Sequence, residues 1–170
     1  MTGKNSPILG KYADCEIVKA KLSHAESLQH NLRESDKREC MIANCTPWRA
    51  LMYPIKQKKA ETYTVLLGDK PIMMFGVVPI EKFQVARIWM LCSQEVDERP
   101  KSFVKYSINI VEYFQSKYKL LENVVPIEHR KTILWLEYLG FHVYKKAFNL
   151  NQFKMYRFVR CQEENNSIIV

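Results

Sequence analysis

The sequence has few of the residues from which cofactor loops and metal centres are usually built. Its 170 residues include only 5 glycines, and no glycine-rich phosphate loop occurs. The 5 cysteines are scattered, and no Cys-x-x-Cys pair is present, so neither a zinc knuckle nor a disulfide framework is indicated. We therefore expect no bound metal and a reducing, cytosolic environment in which the thiols are mostly buried or inert.

Long apolar runs are also missing. No run approaches the roughly 20 residues that a membrane-spanning helix needs, and the N-terminus lacks the apolar core of a signal peptide. We therefore expect no membrane span. Hydrophobic residues make up 47% of the chain and charged residues 26%, which is typical of a globular protein, and the length predicts a single domain.

The formal net charge is +8, and a basic protein attracts polyanions. The densest basic cluster is Lys56-Gln57-Lys58-Lys59. No nucleic-acid-binding motif surrounds it, so we interpret it as a solvated surface. Nucleic-acid binding through this cluster is the alternative.

One stretch, from Ala86 to Phe141, organises the rest of the chain. Its residue pattern predicts two strands and two helices separated by an acidic loop: strand Ala86–Cys92, loop Ser93–Arg99, a helix from Pro100 to about Tyr118, strand Leu120–Ile127, and a helix from about His129 to Gly140. Proline suits the first helical position and glycine the residue that follows a helix. This order requires a crossover between parallel strands.

The preceding residues predict a strand at 13–19 and then three short helices. The helix starts are a capping box at Ser23-His24-Ala25-Glu26, a second signature at Asp36-Lys37-Arg38-Glu39 with a helix after Ser35, and Thr46-Pro47 with a helix through Met52 that Pro54 stops. Two hairpins with four-residue turns are also predicted: 62–67 with 72–78 around 68–71, and 141–148 with 153–159 around 149–152.

These elements predict an α+β fold, with a mixed, mainly antiparallel sheet flanked by helices in one domain. We expect that domain to span residues 12–160, between a flexible lead-in at 1–11 and a flexible tail at 161–170.

The order strand, loop, helix, strand, helix, Gly-Phe resembles the core of the GNAT acetyltransferases, in which the last helix ends as Trp135-Leu136-Glu137-Tyr138-Leu139-Gly140-Phe141 does here. A closer resemblance is to the GNAT-like internal virion protein A family of short-tailed phages. The matching features are Trp89, Lys101-Ser102-Phe103, Lys117-Tyr118 with Asn123-Val124-Val125, and Ile133 with Leu136 and Gly140.

The GNAT resemblance implies that the central strand and the start of the next helix hold acetyl-CoA. The residues implied are Met90, Cys92, Arg99, Lys101, Ser102, Phe103 and Val104. Both glycines of the family's phosphate loop are absent from Arg99–Val104. Three carboxylates, Glu95, Asp97 and Glu98, stand just upstream and are expected to repel an anionic cofactor. In the family, a tyrosine near the end of this helix commonly acts as the general acid for the departing CoA thiolate; Leu136 occupies that position here.

The remaining catalytic candidates are a histidine at a helix start, a tyrosine and a carboxylate: His129, Tyr138 and Glu81. Cys92 is interpreted as a buried thiol and not as a nucleophile.

Two functions follow from the resemblance. The first is an internal virion or morphogenesis protein with degraded or no acetyltransferase activity, which acts with phage or host proteins in the host cytoplasm or the virion. The alternative is an acetyl-CoA-dependent N-acetyltransferase that modifies a protein or a small amine.

Overall fold

The computed structural model describes residues 6–80 and 84–162, except for the side chains of residues 100–102 and 104. The elements in chain order are β1 (Gly10–Tyr12), β2 (Cys15–Lys19), α1 (Leu22–Leu28), α2 (Glu34–Ile42), α3 (Pro47–Lys56), β3 (Glu61–Leu67), β4 (Lys70–Ile80), β5 (Val85–Cys92), α4 (Pro100–Gln115), β6 (Leu120–Pro126), α5 (Arg130–Tyr138), β7 (His142–Leu150) and β8 (Phe153–Cys161). A short 3₁₀ turn, Gln94–Val96, lies between β5 and α4. None of the described helices is long and apolar enough to cross a membrane.

The eight strands form one sheet in the order β1-β2-β3-β4-β5-β6-β8-β7. Every neighbouring pair is antiparallel except β5 and β6, which are parallel and joined by α4. The predicted α+β class, the mainly antiparallel sheet and the parallel crossover are confirmed.

The two faces of the sheet carry separate apolar clusters. One face packs against α4 and α5 through Phe75, Phe114 and Leu136. The other packs against α1 and α3 through Leu28 and Leu51. Side chains alternate along β5, so that Met90 belongs to the first cluster and Trp89 to the second.

Two of the three predicted helix starts are displaced. Helix α1 begins at Leu22, so Ser23 lies inside it, and the N–H of Lys21 donates instead to His24 Nδ1 at 3.3 Å. Helix α2 begins at Glu34, and Asp36, which is buried, lies in its first turn. The third start is confirmed, because Thr46 accepts the N–H of Arg49.

Helix ends follow local backbone chemistry. Pro54 does not stop α3 at Met52, because a proline in the last turn removes only one backbone hydrogen bond, and the helix continues to Lys56. Gly140 ends α5 as predicted. Its φ is +83°, and the N–H of Phe141 donates to the Leu136 carbonyl, a bond of the Schellman motif.

Both hairpin turns are two residues long, not four. Lys70 and Pro71 pair with β3, which leaves Gly68 and Asp69 as the first turn. In the second, Asn151 and Gln152 have φ values of 47° and 71°, the left-handed geometry of a type I′ turn. Asparagine tolerates this geometry, which is why such a tight turn can form there.

The N-terminal boundary also differs from the prediction. Strand β1 begins at Gly10, and Ile8 is buried in the main core. The apolar Ile8 therefore ties down part of the segment that was predicted to be a loose lead-in. Residues 163–170 of the predicted tail lie outside the described part of the chain.

Candidate functional site

Strands β5 and β6 pair over only three residues and then separate. The pairs are Val85 with Leu120, Ala86 with Leu121, and Arg87 with Glu122. Beyond these pairs, the side chain of Asn123 makes the hydrogen bonds. Its Nδ2 donates to the Ile88 carbonyl at 2.6 Å, and its Oδ1 accepts the N–H of Val124 at 2.8 Å. Side-chain bonds thus replace the ladder where the strands split.

A cavity of about 610 Å³ lies along this split and is lined by residues from both faces of the sheet. On the α4 and α5 face its wall includes Phe103, Trp135 and Leu136. On the opposite face it includes Glu39 and Trp89. The cavity therefore connects the two faces of the sheet, so that a ligand bound between the strands from one face could contact a second ligand that enters from the other face.

The open edge of β5 presents backbone groups to the split. Pro79 has no N–H and pairs with Ala86, so the backbone groups of Ala86 point away from β4. The alternation along the strand directs those of Ile88, Met90 and Cys92 to the same side. Asn123 already occupies the Ile88 carbonyl, which leaves Met90 in the middle of the opening.

The groups of Cys92 are bonded to the protein itself. Its N–H donates to Asp36 Oδ2 at 2.5 Å, and its carbonyl accepts the N–H of Arg33 at 3.0 Å. Its side chain is fully buried and does not line the cavity. Burial raises the pKa of the Cys92 thiol well above its ordinary value, which fits an inert thiol. Cys92 is therefore not placed to bind a ligand in the split.

Asp36 is a buried carboxylate with three donors around it. Besides Cys92, it accepts from Arg33 Nε at 2.9 Å and from Ser35 Oγ at 3.3 Å. Burial raises the pKa of Asp36, while Arg33 and the Cys92 N–H oppose that rise. Helix α2 is thereby fixed to the end of β5.

The acidic loop before α4 is partly neutralised. Glu95 is paired with Lys70, and this hydrogen bond, with that of Ser93, lowers the pKa of Glu95 to about 2. Asp97 is paired at 2.7 Å with Arg33, which it shares with Asp36. Of the three carboxylates that were expected to repel an anionic ligand, Glu95 is therefore matched by its own cation and Asp97 by a shared one.

The start of α4 carries an incompletely bonded guanidinium. Arg99 precedes Pro100, the first helical residue, and its Nη2 lies 3.2 Å from Asp14 Oδ2. Its Nε is buried without a partner among the described residues and belongs to a side chain that lines the cavity. A helix N-terminus adds its own positive partial charge at this point.

Two indole groups border the split from opposite faces. The rings of Trp135 and Phe103 lie 5.0 Å apart, centroid to centroid, and form an aromatic wall on the α4 and α5 face. The Nε1 atoms of Trp135 and Trp89 are both buried, with no partner in the described part of the chain. Each of these indole N–H groups is available to donate to a bound ligand or to an ordered water.

The three catalytic candidates have different outcomes. His129 directly precedes α5, and its Nδ1 lies 3.0 Å from Glu39 Oε1. Tyr138 is 62% exposed and does not line the cavity, so this candidate is wrong: two residues after Leu136 on a helix, its side chain is rotated by about 200° away from the cavity wall. Leu136, in place of the expected tyrosine, is buried in the cavity wall. Glu81 lies outside the described residues.

Of the residues that the resemblance implied for acetyl-CoA binding, Met90, Arg99 and Phe103 line the cavity, and their part in binding stays a prediction. The side chains of three others lie outside the described part: Lys101, Ser102 and Val104. Sequence reasoning missed Glu39 and Asp36, because their pattern was interpreted as a helix start. Within residues 6–80 and 84–162, no group of three potential ligands could hold a metal ion.

Comparison with family models and with curated proteins gives no match. Solved structures do match. A GNAT-family acetyltransferase from Bacillus anthracis is 12% identical with a TM-score of 0.66, and the alignment covers 91% of this chain and 98% of that one. The ribosomal-protein-S5-alanine acetyltransferase from Vibrio fischeri is 13% identical, with a TM-score of 0.64 and coverage of 91% and 96%.

A third similar structure is the spermidine N-acetyltransferase from Vibrio cholerae in complex with CoA and spermine. It is 14% identical with a TM-score of 0.64, over 88% of this chain and 96% of that one. The chain therefore has the GNAT acetyltransferase fold. Nothing in these comparisons supports the resemblance to phage internal virion proteins.

Proposed function

We propose that the protein is an acetyl-CoA-dependent N-acetyltransferase that modifies an amine of a protein or a small molecule. One observation carries the proposal: three buried donors without a partner among the described residues, Trp89 Nε1, Arg99 Nε and Trp135 Nε1, belong to side chains lining a cavity between two splayed strands. Acetyl-CoA is rich in acceptors, since it carries phosphates, two amides and a thioester.

The residues present fit this cofactor. The backbone N–H and C=O of Met90 are directed to the open side, where an amide-bearing arm can pair with them as a strand would. Phe103 and Trp135 supply an apolar wall for that arm. Arg99 and the start of α4 supply positive charge for phosphate groups. The guanidinium of Arg99 is partly buried, and charge-assisted hydrogen bonds from arginine to phosphate are strong.

Bound acetyl-CoA supplies a thioester whose acyl carbon an amine can attack. The chain itself orients that group and excludes water. The split in the sheet opens onto the second face, so the amine can approach from the side of Glu39 while the cofactor lies on the side of Phe103. Holding both reactants in one geometry supplies much of the acceleration in such reactions.

The acetyltransferase alternative is better supported than a role in the virion. The similar structures named above are acetyltransferases, and two of them act on an alanine and on spermidine. The pair of Glu95 with Lys70 also reduces the electrostatic repulsion that an anionic cofactor would meet at this loop. The missing glycines remain a departure from the family's phosphate loop.

A thermal melt with and without acetyl-CoA tests the proposal. Ligand at about 100 times its Kd adds roughly 2.7 kcal/mol. We expect the midpoint to rise by several degrees, since each kcal/mol is worth about 2–4 °C in a chain of this size. A flat response at saturating cofactor would contradict the proposal. If the midpoint rises, a panel of amines that includes spermidine and a peptide with an N-terminal alanine tests for turnover.

A further inference from the structure

We propose that Glu39 is the base that takes the proton from the acceptor amine, and that His129 positions it. This inference rests on the proposed function and adds to it a residue from α2, which the acetyl-CoA resemblance did not assign. It stands on the place of Glu39 in the cavity wall and on its contact with His129.

The two side chains meet across the split in the sheet. Glu39 Oε1 lies 3.0 Å from His129 Nδ1, and their side chains are 34% and 12% exposed. The contact with His129 uses Oε1 of Glu39, and Glu39 lines the cavity whereas His129 does not. The carboxylate therefore has one oxygen held by the imidazole and a second that can accept a proton.

The other carboxylate that lines the cavity, within the described ranges, is Asp36. It is 2% exposed, and its oxygens accept from Cys92, Arg33 and Ser35. A carboxylate so buried and so fully bonded is not available to an incoming amine. Glu39, one turn further along the same helix face, remains the reachable base.

Helix α2 is held on both sides of the opening, which fixes Glu39 in place. At its start, Asp36 is bonded to the end of β5. Further along, Arg38 is paired with Glu128 at 3.0 Å, and the turn residue Asn151 donates to the Ile42 carbonyl at 2.8 Å. A base on a helix anchored at both ends is better oriented than one on a loop.

A protonated acceptor R–NH₃⁺ gives one proton to Glu39 Oε2, and the free amine attacks the thioester carbon. A C–N bond forms and the C–S bond breaks, and a second nitrogen proton goes to the departing thiolate. The products are the amide and CoA–SH, and Glu39 returns its proton to solvent.

Several charged groups lie around Glu39. His129, directly before α5, contacts it; Arg38, paired with Glu128, is its neighbour in α2; and Asp36, paired with Arg33, lies one turn earlier on the same helix. A change in pH dependence must therefore be compared with a control on this helix. Glu34 provides one, because it is exposed and, within the described part of the chain, its ion pair is with Lys37.

The experiment compares E39Q, H129A, H129N and the control E34Q. Release of CoA from acetyl-CoA is followed by chromatography, with n-propylamine and with water as acceptors, over a range of pH. We expect E39Q to lower kcat by about 100-fold or more, while the rise in melting temperature with acetyl-CoA is unchanged. Its residual rate with the amine should keep rising with pH, because only amine that solvent has deprotonated can then react.

The His129 variants separate positioning from folding. H129A should lower kcat with little change in the melt, and H129N should restore part of the rate, because the asparagine amide can donate to Glu39. An E39Q protein with the kcat and pH profile of E34Q would overturn the assignment. So would wild-type protein that binds acetyl-CoA but releases no CoA in either assay. Absence of an acetyl-CoA melt shift would instead overturn the proposed function and this inference with it.

Discussion

The backbone N–H of Cys92 donates to the Asp36 carboxylate at 2.5 Å, and this bond joins α2 to the end of the central strand. It occupies a backbone donor on the open edge of β5, where Met90 presents its own groups to the cavity. The contact therefore limits the ligand-binding edge at one end and places the α2 wall of the cavity beside it.

The contact predicts a large stability effect. Asp36→Ala leaves the Cys92 N–H without its acceptor and removes the contact of Arg33 Nε, while Arg33 keeps its pair with Asp97. A buried donor that is left unpaired costs about 1–3 kcal/mol. The free energy of unfolding from urea titration measures this loss. Glu34→Ala, an exposed site on the same helix, should stay within about 0.5 kcal/mol of wild type. Equal effects at the two sites would contradict the assigned role of Asp36.

The pair between Glu95 and Lys70 predicts a pH dependence. The pKa of Glu95 is lowered from its ordinary 4.5 to about 2 by Lys70 and Ser93, so its contribution to stability is full above 4.5. That contribution is lost as the pH falls from 4.5 towards 2. Lys70→Met should therefore reduce stability at pH 7 and make it less sensitive to pH in this window. Lys58→Met, at an exposed site, should change neither the stability at pH 7 nor its pH dependence. If the free energy of unfolding varied with pH equally in wild type, Lys70→Met and Lys58→Met, the linkage to Glu95 would be excluded.

Arg99 should contribute to acetyl-CoA binding through its positive charge. Arg99→Gln removes a charge-assisted hydrogen bond, which is worth about 1.5–3 kcal/mol, so Kd should rise roughly 10- to 100-fold. Titration calorimetry at two salt concentrations measures the change, and the salt dependence should weaken in the variant. Arg130→Gln, at an exposed residue of α5, is the matched control. An unchanged Kd for Arg99→Gln would remove this residue from the proposed site.

Tryptophan fluorescence can report on the cavity directly. The chain has 3 tryptophans, of which Trp89 and Trp135 line the cavity and Trp48 does not. Acetyl-CoA should change the emission of wild type and of Trp48→Phe by similar amounts. Trp89→Phe and Trp135→Phe should each lose part of the response, because a buried indole donor changes environment when it gains an acceptor. A response that depends on Trp48 alone would place the ligand elsewhere.

The sequence by itself determined the local elements and the fold class. The apolar pattern of β5, Pro100 at the start of α4, and Gly140 at the end of α5 depend on backbone preferences that neighbouring residues set. The crossover through α4 follows from their order. Met90, Arg99 and Phe103 were predicted for the site through the family resemblance, and the structure places all three along one cavity.

Only the tertiary structure decided how the cavity is built and which groups are available in it. The bond from Cys92 to Asp36 spans 56 residues, and the contact between His129 and Glu39 spans 90. Asp36 and Glu39 were interpreted as a helix-start signature, because in sequence a carboxylate near a helix start has a sufficient local explanation. Whether it instead enters a buried site depends on what the sheet brings opposite it, and that is settled by packing between segments far apart in the chain.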